Sequence, residues 1–199
     1  MKRKVVISMK KLKPYLYTSL ITLGILGIIF IVKGIFPFGN NSLIWGDMHD
    51  QITAFYYHLH DAVYSNGSMF YDFRIGGGMA FIGIISYYII SPFTLLILLV
   101  PRTKIYLMVS VIIAFKILTC AITCLYFIRT YFKKIPCMLQ VMLALLYAFS
   151  GYNLVIYQIT SWIDAMYMFP LIALMLKVRP MLQKKLQEFT DMIIFLQHY

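Results

Sequence analysis

Asp47 and Asp50 stand three residues apart in the segment Ser42-Leu-Ile-Trp-Gly-Asp47-Met-His-Asp50-Gln51. Carboxylates at that spacing can face one site, where one of them takes the proton from a hydroxyl nucleophile. The chain has seven acidic residues. Asp47, Asp50, Asp61 and Asp72 fall between residues 37 and 104, Asp164 comes later, and Glu188 and Asp191 lie near the end. Cations suited to an anionic leaving group flank the same stretch: Lys33, Arg74, Arg102 and Lys104. Arginine offers phosphate two parallel hydrogen bonds. A hard divalent cation also accepts carboxylate ligands, here Asp47 and Asp50 with His49. No cluster has a recognised metal-site spacing, so no metal site is assigned and a divalent cation stays an open option. The plainer role for both aspartates is capping, with Asp47 as N-cap and Asp50 in the first turn of a helix over residues 51–64.

The elements that must position these residues are membrane helices. Of the 199 residues, 61% are hydrophobic and 13% charged, with mean hydropathy +0.80. Soluble domains carry about 25% charged residues, so this chain lacks the polar surface to face water all round. Its apolar runs are long enough for helices, at about 20 residues per crossing, and lack the short alternating segments of barrels. The expected fold is all-α, a polytopic transmembrane bundle. Its expected parts are a basic cytoplasmic N-terminus (1–14), spans over 15–36, 105–128, 135–156 and 162–178, an external loop over 37–104, and a cytoplasmic tail (179–199). The first span is too long for a cleavable signal peptide, so it is read as an uncleaved anchor. The net charge of +11 sits beside apolar spans, which points to anionic lipid and orientation rather than nucleic acid. The expected location is the cell membrane, crossed several times.

The run 75–101 decides the topology. If it spans, the basic residues divide evenly between the two sides; if it is re-entrant or interfacial, most of them fall inside. The positive-inside rule favours the second arrangement. So do Gly76-Gly77-Gly78, Gly83, Tyr87-Tyr88 and Ser91-Pro92, which interrupt helix, although hydropathy alone predicts a span. Within the loop, Ile52, Phe55, Tyr56, Leu59 and Val63 recur at helical spacing, with Gln51, His58 and Asp61 opposite, as in an amphipathic helix at the membrane interface. Cys120, Cys124 and Cys137 read as inert thiols in apolar surroundings, and His58 and His60 as interfacial polar residues. Lys116 is mid-span. At a cost of about 2.5–3.5 kcal/mol on insertion scales, it implies either an ion-pair partner supplied by a missing part of the chain or a phosphate or ion contact.

Several blocks together resemble the YfhO family of bacterial membrane proteins. These are Ser42 to Gln51, Phe55, Leu59-His-Asp61, Ile75-Gly-Gly-Gly78, Tyr87-Tyr88-Ile-Ile-Ser91-Pro92-Phe93, and Trp162-Ile-Asp164 followed by Pro170-Leu171. They occur in the family's order and cover most of residues 37–175. Ile52 departs from the family's usual tyrosine after the glutamine, and residues 187–199 depart from the expected continuation. Family members are several times longer, so the chain resembles an N-terminal portion. The resemblance implies a glycosyltransferase of the multi-spanning GT-C type. Such enzymes take a sugar from a polyprenyl-phosphate carrier on the outer face and pass it to a cell-wall polymer such as lipoteichoic acid. It also implies Asp47 as the catalytic aspartate, with Asp50 as neighbour. Gln51, Tyr87 and Tyr88 join Arg74 and Lys33 as substrate-binding candidates. Asp164 is either a helix cap or a further group facing the same outer cavity. Two other classes compete, a transporter or flippase that would depend on Lys116, and a non-catalytic membrane assembly protein.

Overall fold

The computed structural model describes residues 2–65, 67–73 and 75–176, with side chains from residue 12 onward. Helix α1 runs from Lys2 to Lys33, with Pro14 inside it. Its buried positions include Thr18, Thr22, Leu26 and Phe30, one every fourth residue. Spacing of this kind makes a narrow inward stripe, and the rest of the helix exposes Leu20, Ile28, Ile31 and Val32. Apolar side chains facing outward are what a lipid-facing helix needs, because lipid makes no demand for polar surface. Gly34, at φ +59°, ends the helix in the left-handed conformation that glycine adopts without strain.

At the centre is α4, Ile105–Tyr131, against which α1 and α5 (Cys137–Ala148) pack. Helix α6 (Gly151–Ile156) follows after a break at Phe149-Ser150, and α7 covers Thr160–Leu176. Among the described residues three stretches are long and apolar enough to cross a membrane, Leu12–Lys33, Arg102–Tyr131 and Cys137–Ile156; Thr160–Leu176 is apolar but shorter. The chain is therefore an all-α membrane bundle, and among the described residues its sheet is one small hairpin.

Residues 34–104 form a layer over the end of the bundle where α1 finishes and α4 begins. Ser42 Oγ donates to the Tyr106 carbonyl at 2.7 Å, and the Leu43 N–H donates to Ser110 Oγ at 3.0 Å. A wide helical turn, Met48–Ile52, leads into α2, Thr53–Tyr64. Strands β1 (Tyr71–Asp72) and β2 (Met79–Ala80) pair antiparallel. Their turn carries Gly76, Gly77 and Gly78, all at positive φ. A short α3 (Phe81–Ile84) and a second wide turn (Ile85–Ile89) follow, then a 3₁₀ helix, Pro92–Leu99. The two halves Phe81–Ile89 and Pro92–Leu99 meet at 110°, so the run 75–101 does not form one straight helix. Ser91-Pro92 supplies the break, since proline cannot continue the preceding hydrogen-bond ladder.

Ile52, at the end of the wide turn, and Tyr56 and Leu59 on α2 are buried, as their spacing requires, with Val63 exposed. The opposite side is covered more than the sequence suggests. His58 is buried there against the hairpin segment, and His60, four residues from Tyr56 on the bundle side of α2, is buried as well. His58 Nε2 is 3.1 Å from the Ser68 carbonyl and its ring meets Phe81 edge-on, while His60 Nε2 is 3.3 Å from the Val100 carbonyl.

Candidate functional site

The loop layer encloses a cavity of about 670 Å³. The wide turn contributes Asp50 and Gln51 to its wall. Helix α2 adds Ala54, Phe55, Tyr57, His58 and Asp61. The hairpin segment adds Asp72, Ile75, Gly76 and Met79, the following segment Ile84 and Tyr88, and the start of the last loop Arg102. Three aspartates, an arginine and three aromatic rings thus converge from sequence positions 50 to 102.

Each charged group has a defined neighbour. Arg102 holds the Asp61 carboxylate through two hydrogen bonds, Nε to Oδ1 at 2.8 Å and Nη2 to Oδ2 at 3.2 Å. Its guanidinium also lies 4.9 Å from the centre of the Tyr57 ring, a cation–π distance. His58 Nδ1 is 2.6 Å from Asp72 Oδ2, with both side chains buried. His49 Nδ1 is 2.8 Å from Asp50 Oδ1, and both of those are exposed. Phe55 and Tyr88 pack ring to ring at 5.3 Å on the apolar part of the wall.

The residues singled out from sequence separate into two groups. Asp50, Gln51 and Tyr88 line the cavity. Asp47, Tyr87, Lys33 and Asp164 do not line it. Asp47 is exposed, and its side chain makes no capping bond. Its backbone N–H donates to Gln158 Oε1 at 3.2 Å, so the preceding loop is held by the turn before α7. Gly46, at φ +52°, lets Gln158 approach where a Cβ would clash. Trp45 meets Tyr157 edge-on at 6.1 Å in the same contact. Burial raises the Tyr157 phenol pKa, with a Trp45 hydrogen bond opposing it. Tyr87 is exposed and packs edge-on against Tyr88 at 4.6 Å. Lys33 is exposed at the end of α1, where its carbonyl accepts from Asn41 Nδ2. Arg74 lies outside the described residues.

Asp164 lies in the first turn of α7, four residues after Thr160. Lys116 Nζ lies 2.7 Å from Asp164 Oδ1, and the lysine side chain is fully buried. The same Nζ donates to the Thr160 carbonyl at 2.9 Å. The partner expected from a missing part of the chain is instead Asp164. Helix side chains tilt toward the N-terminus, which lets Lys116 reach up α4 toward the start of α7. Asp164 does not act as a cap, because Thr160 begins the helix four residues earlier.

Sequence reasoning did not assign Asp61, Asp72, His58 or Tyr57 to the site. The signal was present in the clustering of aspartates within one loop, but their partners are set by tertiary packing. Among the described residues no group of three or more His, Cys, Asp or Glu side chains gathers in a way that could hold a metal ion. Cys120 and Cys124 are buried and Cys137 exposed, all as free thiols.

No curated protein and no solved structure matches this chain. The family described as bacterial membrane protein YfhO matches residues 18–195, a span that takes in most of the tail from residue 187 where the sequence pattern departs. With nearly the whole chain covered, and with an apolar helical bundle beneath a carboxylate-lined loop layer, the protein belongs to the YfhO family of bacterial membrane proteins.

Proposed function

We propose that the chain forms part of a membrane glycosyltransferase that moves a sugar from a polyprenyl-phosphate carrier to an external cell-wall polymer such as lipoteichoic acid. The observation that carries this reading is the joint presence of Asp50, Gln51, Tyr88 and Arg102 in the wall of one cavity. Sugar transfer asks for these types together: a carboxylate to accept a proton, amide and aromatic groups to hold the sugar, and a cation for phosphate.

In the proposed reaction the acceptor hydroxyl attacks the anomeric carbon and loses its proton to the Asp50 carboxylate. The bond from that carbon to the phosphate oxygen breaks, and its electron pair leaves with the polyprenyl phosphate. Positive charge developing on the sugar ring is stabilised by the neighbouring carboxylates, with Asp47 one turn before Asp50. Gln51 hydrogen-bonds sugar hydroxyls, and Tyr88, backed by Tyr87 and Phe55, packs against the sugar's apolar face. Arg102 receives the phosphate, assisted by Arg74 and, at headgroup depth, Lys33.

The test is sugar transfer from a polyprenyl-phosphate donor in bacterial membranes containing the native protein. Asp50→Asn keeps the size of the side chain and removes the proton acceptor, so transfer falls by about 10²–10⁴-fold at unchanged protein level. Near-normal transfer by that variant refutes the assignment of Asp50.

A further inference from the structure

Three buried groups and one partly buried carboxylate connect the membrane helices to the wall of the cavity. Lys116 on α4 bridges Asp164 Oδ1 and the Thr160 carbonyl, four residues apart on α7. The Thr160 hydroxyl lies 2.8 Å from the Tyr56 hydroxyl on α2. Thr160, Tyr56 and Lys116 are all fully buried. At the near end of α2, Thr53 Oγ1 donates to the Met48 carbonyl at 2.6 Å, which clamps the wide turn carrying Asp50 and Gln51. Tyr56 therefore stands one helical turn from Ile52, the last residue of that wide turn. Helix α2 presents Ala54, Phe55, Tyr57, His58 and Asp61 to the cavity, while Tyr56 anchors it on the bundle side. Any rotation or lift of α2 about this anchor moves the whole wall.

A buried ion pair is weak evidence for stability, since a well-packed apolar pair of similar volume often serves as well. What it adds here is direction. The ammonium group fixes the first turn of α7, and the Thr160 hydroxyl passes that register to α2. We infer that the Lys116–Asp164 pair, acting through Thr160 and Tyr56, is a positioning device that sets the register of α2 and thus the shape of the cavity. Neither charged residue touches the cavity, so Asp164 is a positioning residue and not a substrate contact. The inference concerns the site proposed for sugar transfer and rests on that reading only in its activity arm.

Its test reads cavity shape directly. Cys137→Ser removes the exposed thiol, and Ala54→Cys places a reporter on the α2 wall, with the buried Cys120 and Cys124 kept. The rate of maleimide labelling is measured in nanodiscs for three proteins: this parent, Tyr56→Phe, and the neutral pair Lys116→Met with Asp164→Leu. Tyr56→Phe removes one hydroxyl and leaves the ion pair and packing in place. It is expected to change the labelling rate by about 2–10-fold, the equilibrium equivalent of one hydrogen bond. The neutral pair is expected to reach the membrane at parental levels yet label at the altered rate, because the bond to the Thr160 carbonyl is gone. A purely structural ion pair gives the opposite pattern, with abundance and labelling restored together, and that result overturns the inference. If the neutral pair does not accumulate, Tyr56→Phe decides alone, and parental labelling by that variant overturns it. Absence of sugar transfer from the native protein would sink the proposed activity while leaving these labelling outcomes to answer the positioning question. Where transfer is present, Tyr56→Phe lowers kcat with little change in KM.

Discussion

His58 and Asp72 meet at 2.6 Å, Nδ1 to Oδ2, with both side chains buried in the cavity wall. The contact joins α2 to the hairpin across a sequence separation that no local pattern encodes. Losing a hydrogen bond to a charged group costs about 1.5–3 kcal/mol. Asp72→Ala is expected to lower the thermal unfolding midpoint in detergent clearly, and Asp72→Asn less so, since its amide oxygen still accepts from the ring. Equal midpoints for the two variants and the parent would show that the hairpin is held by other contacts.

Asp47 separates a catalytic from a capping role without ambiguity. Its side chain makes no cap hydrogen bond, so Asp47→Ala is expected to change stability by less than about 0.5 kcal/mol, the usual range for surface positions. Under the proposed mechanism Asp47→Asn removes a charge beside the developing cation, and sugar transfer falls by less than in Asp50→Asn, which loses the proton acceptor. A stable variant with normal transfer would remove Asp47 from the reaction and leave Asp50 alone.

Tyr56 gives a prediction in pH. Burial pushes its phenol up to about 12, against the hydrogen bond with Thr160 that favours the ionised form. An unfolded tyrosine titrates near 10, so the folded state binds this proton more tightly. The resulting stabilisation is complete below pH 10 and is lost as pH rises through about 12. The stability difference between the native protein and Tyr56→Phe should therefore shift toward the variant across that window, by about 2–3 kcal/mol. A difference that stays flat from pH 9 to 12 would mean that Tyr56 is solvated.

Topology is open to direct labelling. In a background lacking Cys120, Cys124 and Cys137, a cysteine at the exposed Ser65 is expected to react with an impermeant reagent added outside the cell. One at Thr130, near the far end of α4, is expected to stay unlabelled. Labelling at Thr130 would favour a full crossing by residues 75–101.

The positions of the long helices were legible because apolar length is a local property, and α4 follows from one uninterrupted run apart from Lys116. The kink at Ser91-Pro92 was legible for a similar reason, since proline acts on its own backbone. Lys116 announced that it needed a partner, yet its identity depended on how α7 packs. His58 misled in a different way. Helical periodicity sorts residues into two faces, but it does not say that a hairpin will cover the polar one. Asp50 and Gln51 reached the cavity because Met48–Ile52 forms a wide turn, and nothing in that short polar segment distinguishes a wide turn from an ordinary first helical turn.

The Lys116–Asp164 contact also imposes an order on biosynthesis. Thr160, the nearer of the two α7 contacts, follows Lys116 by 44 residues. At about 5–20 residues per second, that interval lasts roughly 2–9 s, during which the lysine has been made and its acceptors have not. A lone lysine at the centre of a helix is penalised on entering lipid. Helix α4 therefore has reason to wait beside the insertion machinery until α7 emerges, so that the two helices enter the bilayer as a neutral pair.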